Sequence, residues 1–401
     1  MNHEIHEPIV KFSRRKARLF GAIVFFLLLV GAEGVARLTY FVAHDFNPYF
    51  LTFGFVDNTE AGAHSAEYDG YTKFQGGIPK HQRLKDHTIR MRINADGFRA
   101  AADFVRPKPA AMYRVVVLGA SSTFGYYVED EETFPRQIER LLREAHQDRA
   151  IEVLNLGIPH ATSQNLLALA RAELPSLQPD LIVIYSGVND ALHPKRPEDH
   201  GSLYCMKNWV YYHSVAWRFV HHTVKDAYFN LVKSTNTDPL GIPNLAIPLR
   251  LEREQIEALR GFLTARYRAN IRSIVEFGRS LDAQTLLVTQ PCTFYYEHIK
   301  DGEGNRMTYE EETAAIESEF AETASLLAFD TSMLAHRDLM QTLTEIATET
   351  GAPLADGIRA LEKNREALQS YVHLTPDGNL FLAMAIRDAI FDAGLIRSPR
   401  R

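Results

Sequence analysis

Five short apolar runs constrain the fold of this chain more than any other feature. They cover residues 113–119, 151–157, 180–187, 285–291 and 353–356. Runs of this length, rich in Val, Ile and Leu, are typical of strands that are buried on both faces. Helical patterns separate the runs, and this alternation predicts a parallel sheet with helices on both sides. Because ligands bind at the carboxyl ends of such strands, we expect the functional residues there.

The segments between the strands carry helical periodicity, with one long exception. We expect helices from about residue 133, over 163–174, over 250–280, within 309–350 and over 376–394. The exception, residues 191–250, is expected to be an insertion that forms a packed cap, a lid over the site or a platform for substrate. Its aromatic and histidine side chains include Trp209, Tyr211, Tyr212, Trp217, His221 and His222.

An apolar run near the N-terminus predicts a membrane helix. Residues 19–32 are uncharged and follow a strongly basic stretch. This run is shorter than the roughly 20 residues of a spanning helix. It extends to Val42 if Glu33 and Arg37, one helical turn apart, form an ion pair. The basic residues before the run favour a cytoplasmic N-terminus and an exported C-terminal body.

Two other interpretations of the apolar run are a cleaved signal peptide and a buried soluble helix. We favour an uncleaved anchor because no convincing small-x-small cleavage site follows the run. The expected organisation is a cytoplasmic N-terminus, a transmembrane anchor, an extracytoplasmic approach segment and a main domain that contains the insertion. These regions cover residues 1–18, 19–42, 43–112 and 113–397, respectively.

Charge and cysteine content argue against two classes of function. The net charge of −6 gives no electrostatic support for binding nucleic acid. Two cysteines, Cys205 and Cys292, are too few for a four-thiolate metal site. The sequence is compatible with a disulfide between them and with two free thiols. We interpret His160, His221 and His222 as ordinary polar residues rather than metal ligands. The sequence therefore predicts neither a metal ion nor another cofactor.

Four elements of the sequence carry residues suited to nucleophilic catalysis. Ser121 lies in a glycine-flanked turn, 119–125, after the first strand, and a serine hydroxyl needs a base within hydrogen-bond reach. Gly157 ends the second strand, where a glycine lets a backbone N–H approach a ligand. Asn189 follows the third strand and can donate its amide to an oxyanion. His373 precedes the last helix and is placed to reach Ser121.

In this order, the four elements resemble the SGNH hydrolases, also called GDSL-like hydrolases. Residues 119–125 are similar to the family's first block, G-D-S-x-T-x-G, with Ala120 in the aspartate position. Gly157 matches the second block, and residues 187–190 match G-x-N-D of the third. His373 matches the histidine of the last block, D-x-x-H.

The resemblance covers about residues 113–394 and implies a three-layer α/β/α, flavodoxin-like domain. The upstream sequence NADGFR (94–99) also resembles the stretch before the domain in membrane-anchored bacterial members. The resemblance implies a bacterial inner-membrane protein with a periplasmic domain. It further implies that Ser121 is the nucleophile, that His373 is its base, and that Ser121, Gly157 and Asn189 form the oxyanion hole.

One position departs from the family pattern. The family's aspartate lies three residues before the histidine, and Ser370 occupies that position here. Without a carboxylate, the imidazolium that forms in the transition state is less stabilised. Ser370 or a backbone carbonyl could orient the ring, and Asp356, at the end of the fifth strand, is a weaker substitute. Asp190 is expected to brace the active-site loop.

Three functions are compatible with these residues. The leading hypothesis is hydrolysis of an ester, either an O-acetyl group on a surface glycan or a lipid ester. The second is transfer of the acyl group to a sugar hydroxyl, which water exclusion by the insertion would favour. The third is a non-catalytic module that binds glycan or scaffolds an export complex, and Ser370 is the residue that supports it. The sequence identifies no protein partner.

Overall fold

The computed structural model describes residues 14–43, 73–74, 76–77, 79–84, 88–192, 214–217, 219–220, 224, 250–293 and 307–396. The chain divides into two compact units. The smaller unit combines Met1–Asp57 with His200–Asn236, and the larger unit combines Asn58–Asp199 with Thr237–Arg401.

Five parallel strands form the central sheet of the larger unit. In chain order the strands are β1 (Lys80–Arg83), β2 (Thr88–Met91), β3 (Met112–Gly119), β4 (Ala150–Gly157), β5 (Leu181–Tyr185), β6 (Arg250–Glu252), β7 (Gln284–Val288), β8 (Ser325–Leu327) and β9 (Leu354–Ala355). The order across the sheet is β4-β3-β5-β7-β9, with every neighbouring pair parallel. This is the flavodoxin-like order, so the predicted fold class is confirmed.

Helices of the larger unit cover both faces of this sheet. In chain order the helices are α1 (Arg14–Ala43), α2 (Ser121–Phe124), α3 (Phe134–Ala145), α4 (Ser163–Leu177), α5 (Val188–Leu192), α6 (Arg253–Ser280), α7 (Tyr309–Thr323), α8 (Ala328–Thr350), α9 (Gly357–Glu362) and α10 (Pro376–Asp392). Alternate side chains of a strand point to opposite faces. Val116 and Leu118 of β3 therefore join the core formed with α4, α6 and α8. Val115 and Val117 join the core formed with α3 and α10.

The segment before β3 has more structure than its sequence pattern indicates. β1 and β2 pair as an antiparallel hairpin, although residues 44–110 show no clear periodicity. Phe98 and Phe104 are buried in the same core as α4 and α6. The hairpin was not predicted because its short strands carry few apolar residues. The domain boundary at residue 113 stays a prediction.

The smaller unit contains α1, whose apolar side chains are exposed along most of its length. Among the described residues, α1 is the helix that is long and apolar enough to cross a membrane, over Arg15–Thr39, and its most apolar 18-residue stretch has a mean hydropathy of 2.3. Arg37 and Glu33 form the predicted ion pair at 2.9 Å. Of the six aromatic and histidine residues singled out in the insertion, Trp217 is described. Outside the described residues lie Trp209, Tyr211, Tyr212, His221 and His222, together with Cys205.

Candidate active site

Ser121 begins α2, directly beyond the carboxyl end of β3. The turn before it requires a glycine, because a Cβ on Gly119 would collide with the side chain of Thr123 and the backbone of Tyr185. At the first position of a helix, the Ser121 N–H has no intrahelical acceptor. The turn therefore presents both a hydroxyl and a backbone donor at the edge of the sheet.

His373 meets Ser121 across a large separation in sequence. Its Nε2 lies 2.9 Å from Ser121 Oγ, and the two residues are 252 positions apart. Ser122 holds the two loops together, since its hydroxyl donates to the carbonyl oxygen of Val372 at 3.0 Å. The imidazole is 8% exposed. The structure thus joins the two predicted catalytic side chains in a hydrogen bond suited to proton transfer.

Ser370 contacts the other ring nitrogen of His373. Its Oγ lies 2.8 Å from His373 Nδ1, the place where an aspartate would bind the ring in a triad. The same oxygen accepts from the backbone N–H of His373 at 3.1 Å and of Val372 at 3.4 Å. Ser370 therefore takes over the orienting contact without a negative charge.

This contact favours one tautomer of His373. A hydroxyl has two acceptor lone pairs and one proton. Because two backbone N–H groups approach the lone pairs of Ser370, the hydroxyl proton is directed to His373 Nδ1. The neutral ring then carries its own proton on Nε2, the nitrogen that has to accept the proton of Ser121. An aspartate would hold the opposite tautomer, so the site contains a correctly placed but weakly prepared base.

The protonation state of His373 is set by its surroundings. Burial, with a smaller contribution from the nearby His160, lowers the pKa of His373 to about 4. The imidazole is therefore neutral at pH values well above 4. Because the unfolded chain binds a proton near the ordinary pKa of 6.5, this residue lowers the stability of the fold as the pH falls from about 6.5 to about 4.

The carboxylates of Asp190 and Asp356 do not contact His373 but bind other backbone and side-chain groups. The Asp190 carboxylate accepts from the backbone N–H of Ser163 at 2.9 Å and from its hydroxyl at 2.6 Å, and burial raises the pKa of Asp190. These bonds tie α5 to the start of α4, as expected of a brace. Asp356 caps α9 by accepting from the Arg359 N–H at 3.0 Å. The structure does not place Asp356 on His373 Nδ1, because Ser370 occupies that position.

Gly157 lies beside α2, but its N–H is already engaged. It donates to Asn155 Oδ1 at 2.9 Å. An added Cβ would collide with the backbone of Thr123 and Phe124. The missing side chain thus has a packing reason, which is the close approach of β4 to the helix that carries Ser121. An oxyanion could use the Gly157 N–H only after Asn155 released it.

The Asn189 amide is buried against the loop that follows β4. The residue is 7% exposed, and its amide donates to the carbonyl oxygen of Ala161 at 3.0 Å. An amide carries two donor hydrogens, so this bond leaves one for a ligand. His160, which precedes Ala161 in the chain, has a φ of 63°. This backbone conformation is uncommon outside glycine. The motif order did not single out His160, whose charge contributes to the lowered pKa of His373.

Three tyrosines surround the imidazole. The ring centroids of Tyr127, Tyr126 and Tyr371 lie 5.2, 5.7 and 6.1 Å from that of His373. All three rings are half-buried. The hairpin supports this wall, because the Tyr127 N–H donates to Gln82 Oε1 at 2.8 Å. Sequence analysis missed these tyrosines because they lie outside the family motifs.

Arg99, the last residue of NADGFR, holds the loop that carries two of these tyrosines. Its guanidinium donates to the carbonyl oxygens of Phe124, Gly125 and Val128, the last at 2.8 Å, and to Asp130 at 2.8 Å. The side chain is buried. A segment upstream of β3 therefore positions one wall of the site.

A cavity of about 200 Å³ lies beside β4, away from the Ser–His pair. Arg92, Arg99, Asp130 and Glu152 contribute to its lining, whereas Ser121 and His373 do not. The chemistry of the Ser–His pair therefore does not take place in this cavity.

Cys292 is a buried free thiol. The described residues contain no group of three or more His, Cys, Asp or Glu side chains placed to hold a metal.

Comparison with known families gives one match. The family model described as the GDSL-like Lipase/Acylhydrolase family matches residues 117–380. The matched range includes Ser121, Asn189 and His373, and it excludes α1 and Arg99. No curated protein matches the chain.

Solved structures of similar fold include esterases. A variant of an acetyl xylan esterase from Geobacillus stearothermophilus is 17% identical, with 69% of this chain and 94% of that chain covered and a TM-score of 0.39. A lipase/acylhydrolase from Enterococcus faecalis is 16% identical, with 72% and 100% covered and a TM-score of 0.41. Likeness at this level carries no argument about substrate.

The close packing of Gly157 predicts a stability effect. Gly157→Ala keeps the N–H but forces the backbone of α2 to move, so we expect the free energy of unfolding to fall by about 1–3 kcal/mol. Gly261→Ala is the matched control, because nothing lies within 4 Å of its added Cβ. In a helix interior this change should stabilise by about 1 kcal/mol. Urea unfolding of the detergent-solubilised chain measures both. Unchanged stability in Gly157→Ala would contradict the packing role.

Proposed function

The chain belongs to the GDSL-like lipase/acylhydrolase family, and on that basis we propose that it is a membrane-anchored serine esterase. The observation that carries the proposal is the 2.9 Å contact between Ser121 Oγ and His373 Nε2. A neutral imidazole at this distance can accept the hydroxyl proton as the serine attacks a carbonyl, once the ring's own proton lies on Nδ1. Sequence position and geometry therefore point to the same pair.

The proposed reaction has two stages. Ser121 Oγ attacks the acyl carbonyl while His373 takes the proton, and the alcohol leaves with that proton to give an acyl-enzyme. In the second stage His373 takes a proton from water as the water attacks the acyl group. It then returns that proton to Ser121 Oγ as the acid leaves. The Ser121 N–H and the second amide hydrogen of Asn189 are the proposed oxyanion donors, and Gly157 joins them only after Asn155 moves. Losing one such donor costs about 10²–10³ in kcat.

We propose a short acyl ester on a polar carrier, such as an O-acetyl group on a surface glycan, as the substrate. The half-buried tyrosines around His373 support a ring-shaped, amphipathic carrier, since each offers an apolar face together with a hydroxyl. A lipid ester is the alternative within the same chemistry. No cofactor is needed for either reaction.

We propose that α1 spans the bacterial inner membrane, with the N-terminus inside and the larger unit in the periplasm. The basic residues before Leu19 and the apolar surface of α1 support this orientation. A periplasmic location also suits a glycan ester, because surface polymers are assembled and modified there.

A non-catalytic binding module is the second candidate, and the contact of Ser370 with His373 favours it. The uncharged partner leaves the imidazolium without a counter-charge and supports the unsuitable tautomer. Acyl transfer to a sugar uses the same acyl-enzyme as hydrolysis. Transfer would be favoured if the insertion kept water away from the acyl-enzyme. Most of the insertion lies outside the described residues, and no contact among the described residues favours transfer over hydrolysis.

Hydrolysis of p-nitrophenyl acetate tests the esterase proposal. We expect the full-length protein in detergent to release p-nitrophenol faster than Ser121→Ala does, because the variant has no nucleophile. Ser318→Ala, at an exposed serine of α7, is the matched control, because it removes a hydroxyl but keeps the nucleophile and its contacts. Equal rates for the wild type and Ser121→Ala would exclude a serine esterase and would favour the binding module.

Restoring the family's carboxylate tests the role of Ser370. Loss of the correct tautomer in a serine triad costs about 10⁴ in kcat, so we expect Ser370→Asp to raise kcat by about 10²–10⁴. The added charge should also raise the pKa of His373, which moves the acid limb of the kcat/KM profile from near pH 4 to higher pH. Ser370→Asn is the uncharged control and should give neither change. An aspartate variant no faster than the wild type would show that the serine does not limit the rate.

A further inference from the structure

Glu33 lies in the C-terminal half of α1, directly after its uncharged stretch. At about 1.5 Å per residue, the uncharged residues 19–32 span only about 21 Å of a hydrocarbon core about 30 Å thick. A core that begins at Leu19 therefore extends past Glu33 and Arg37. Ionisable groups at this depth need partners inside the protein or at the interface.

Part of the insertion supplies those partners. Glu33 accepts hydrogen bonds from the Ser214 hydroxyl and from the N–H groups of Val215 and Ala216, each at 3.0 Å. Arg37 donates to Glu33 Oε1 at 2.9 Å, the same oxygen that accepts from Val215. The carboxylate thus satisfies two backbone N–H groups at the start of a helical segment that belongs to the same unit as α1.

The segment that follows these N–H groups is apolar and exposed. Trp217, Phe219, Val220 and Val224 are 44%, 49%, 50% and 63% exposed. The apolar side chains of α1 are exposed to a similar extent, including Val35 at 67%. Exposed apolar surface that continues from a membrane-spanning helix is suited to lipid, and Trp is enriched at the membrane interface.

We propose that the described part of the insertion, residues 214–217, 219–220 and 224, re-enters the bilayer, where Trp217, Phe219, Val220 and Val224 contact lipid and Glu33 anchors it to α1. The occupant of the apolar surface is the hydrocarbon of the bilayer half nearest the C-terminal end of α1. In hydrocarbon, an unsatisfied backbone N–H is costly, so the bonds from Val215 and Ala216 to Glu33 are what allow entry. This inference rests on the proposed membrane anchor.

Depth-dependent fluorescence quenching tests the proposal. The chain has two tryptophans, so Trp209→Phe leaves Trp217 as the sole indole. The full-length variant is reconstituted in phosphatidylcholine vesicles and floated on a density gradient. We expect blue-shifted emission that brominated phosphatidylcholine quenches strongly and aqueous iodide quenches little. Quenching by iodide, with no response to brominated lipid, in protein that floats would overturn the re-entry but leave the anchor intact.

Substitution of Glu33 tests its part in the same background. Glu33→Leu removes the acceptor, so the segment should move towards water, with quenching by brominated lipid reduced, quenching by iodide increased and flotation unchanged. Val35→Leu, on the same helix, is the matched control and should behave like its parent. Unchanged quenching in Glu33→Leu would overturn the anchoring role. Failure of the parent protein to float would overturn the membrane anchor and the re-entry together.

Discussion

The hydrogen bond between Ser121 and His373 is the contact on which the account of the site depends. It joins the end of β3 to the loop before α10, and 252 positions separate the two residues. The sheet makes this possible because β3 lies between β4 and β5, so its carboxyl end meets the loops of several later elements. Ser122 adds a second link through the carbonyl oxygen of Val372. The geometry of the pair is thus built into the core rather than into one flexible loop.

Ser370 separates placement of the base from its activation. The serine reproduces the hydrogen bond to Nδ1 that an aspartate makes, and the ring therefore stays aligned with Ser121. It supplies no negative charge, and its contacts with two backbone N–H groups direct its proton to the ring. Burial also keeps the pKa of His373 low. A site of this kind retains the shape of a triad while it lacks the electrostatic support that makes a triad fast.

The strand pattern and the Ser–His pair could be predicted because both depend on local signals: buried apolar runs, and polar residues that follow them. The hydrogen-bond state of Gly157 could not, since it depends on how the Asn155 side chain turns. Arg99 lies in a segment without periodicity, and its role appears only when the loop 124–130 folds around it. The tyrosines near His373 come from separate loops, and no spacing in the sequence links Tyr126 with Tyr371.

Labelling with a fluorophosphonate probe tests the central claim most directly, because the probe reacts with a serine only when a neighbouring base activates it. Mass spectrometry of the full-length protein should find the probe on Ser121, and His373→Ala should label far more slowly. Labelling of His373→Ala at the rate of the wild type, or labelling at a serine other than Ser121, would contradict the proposed pair.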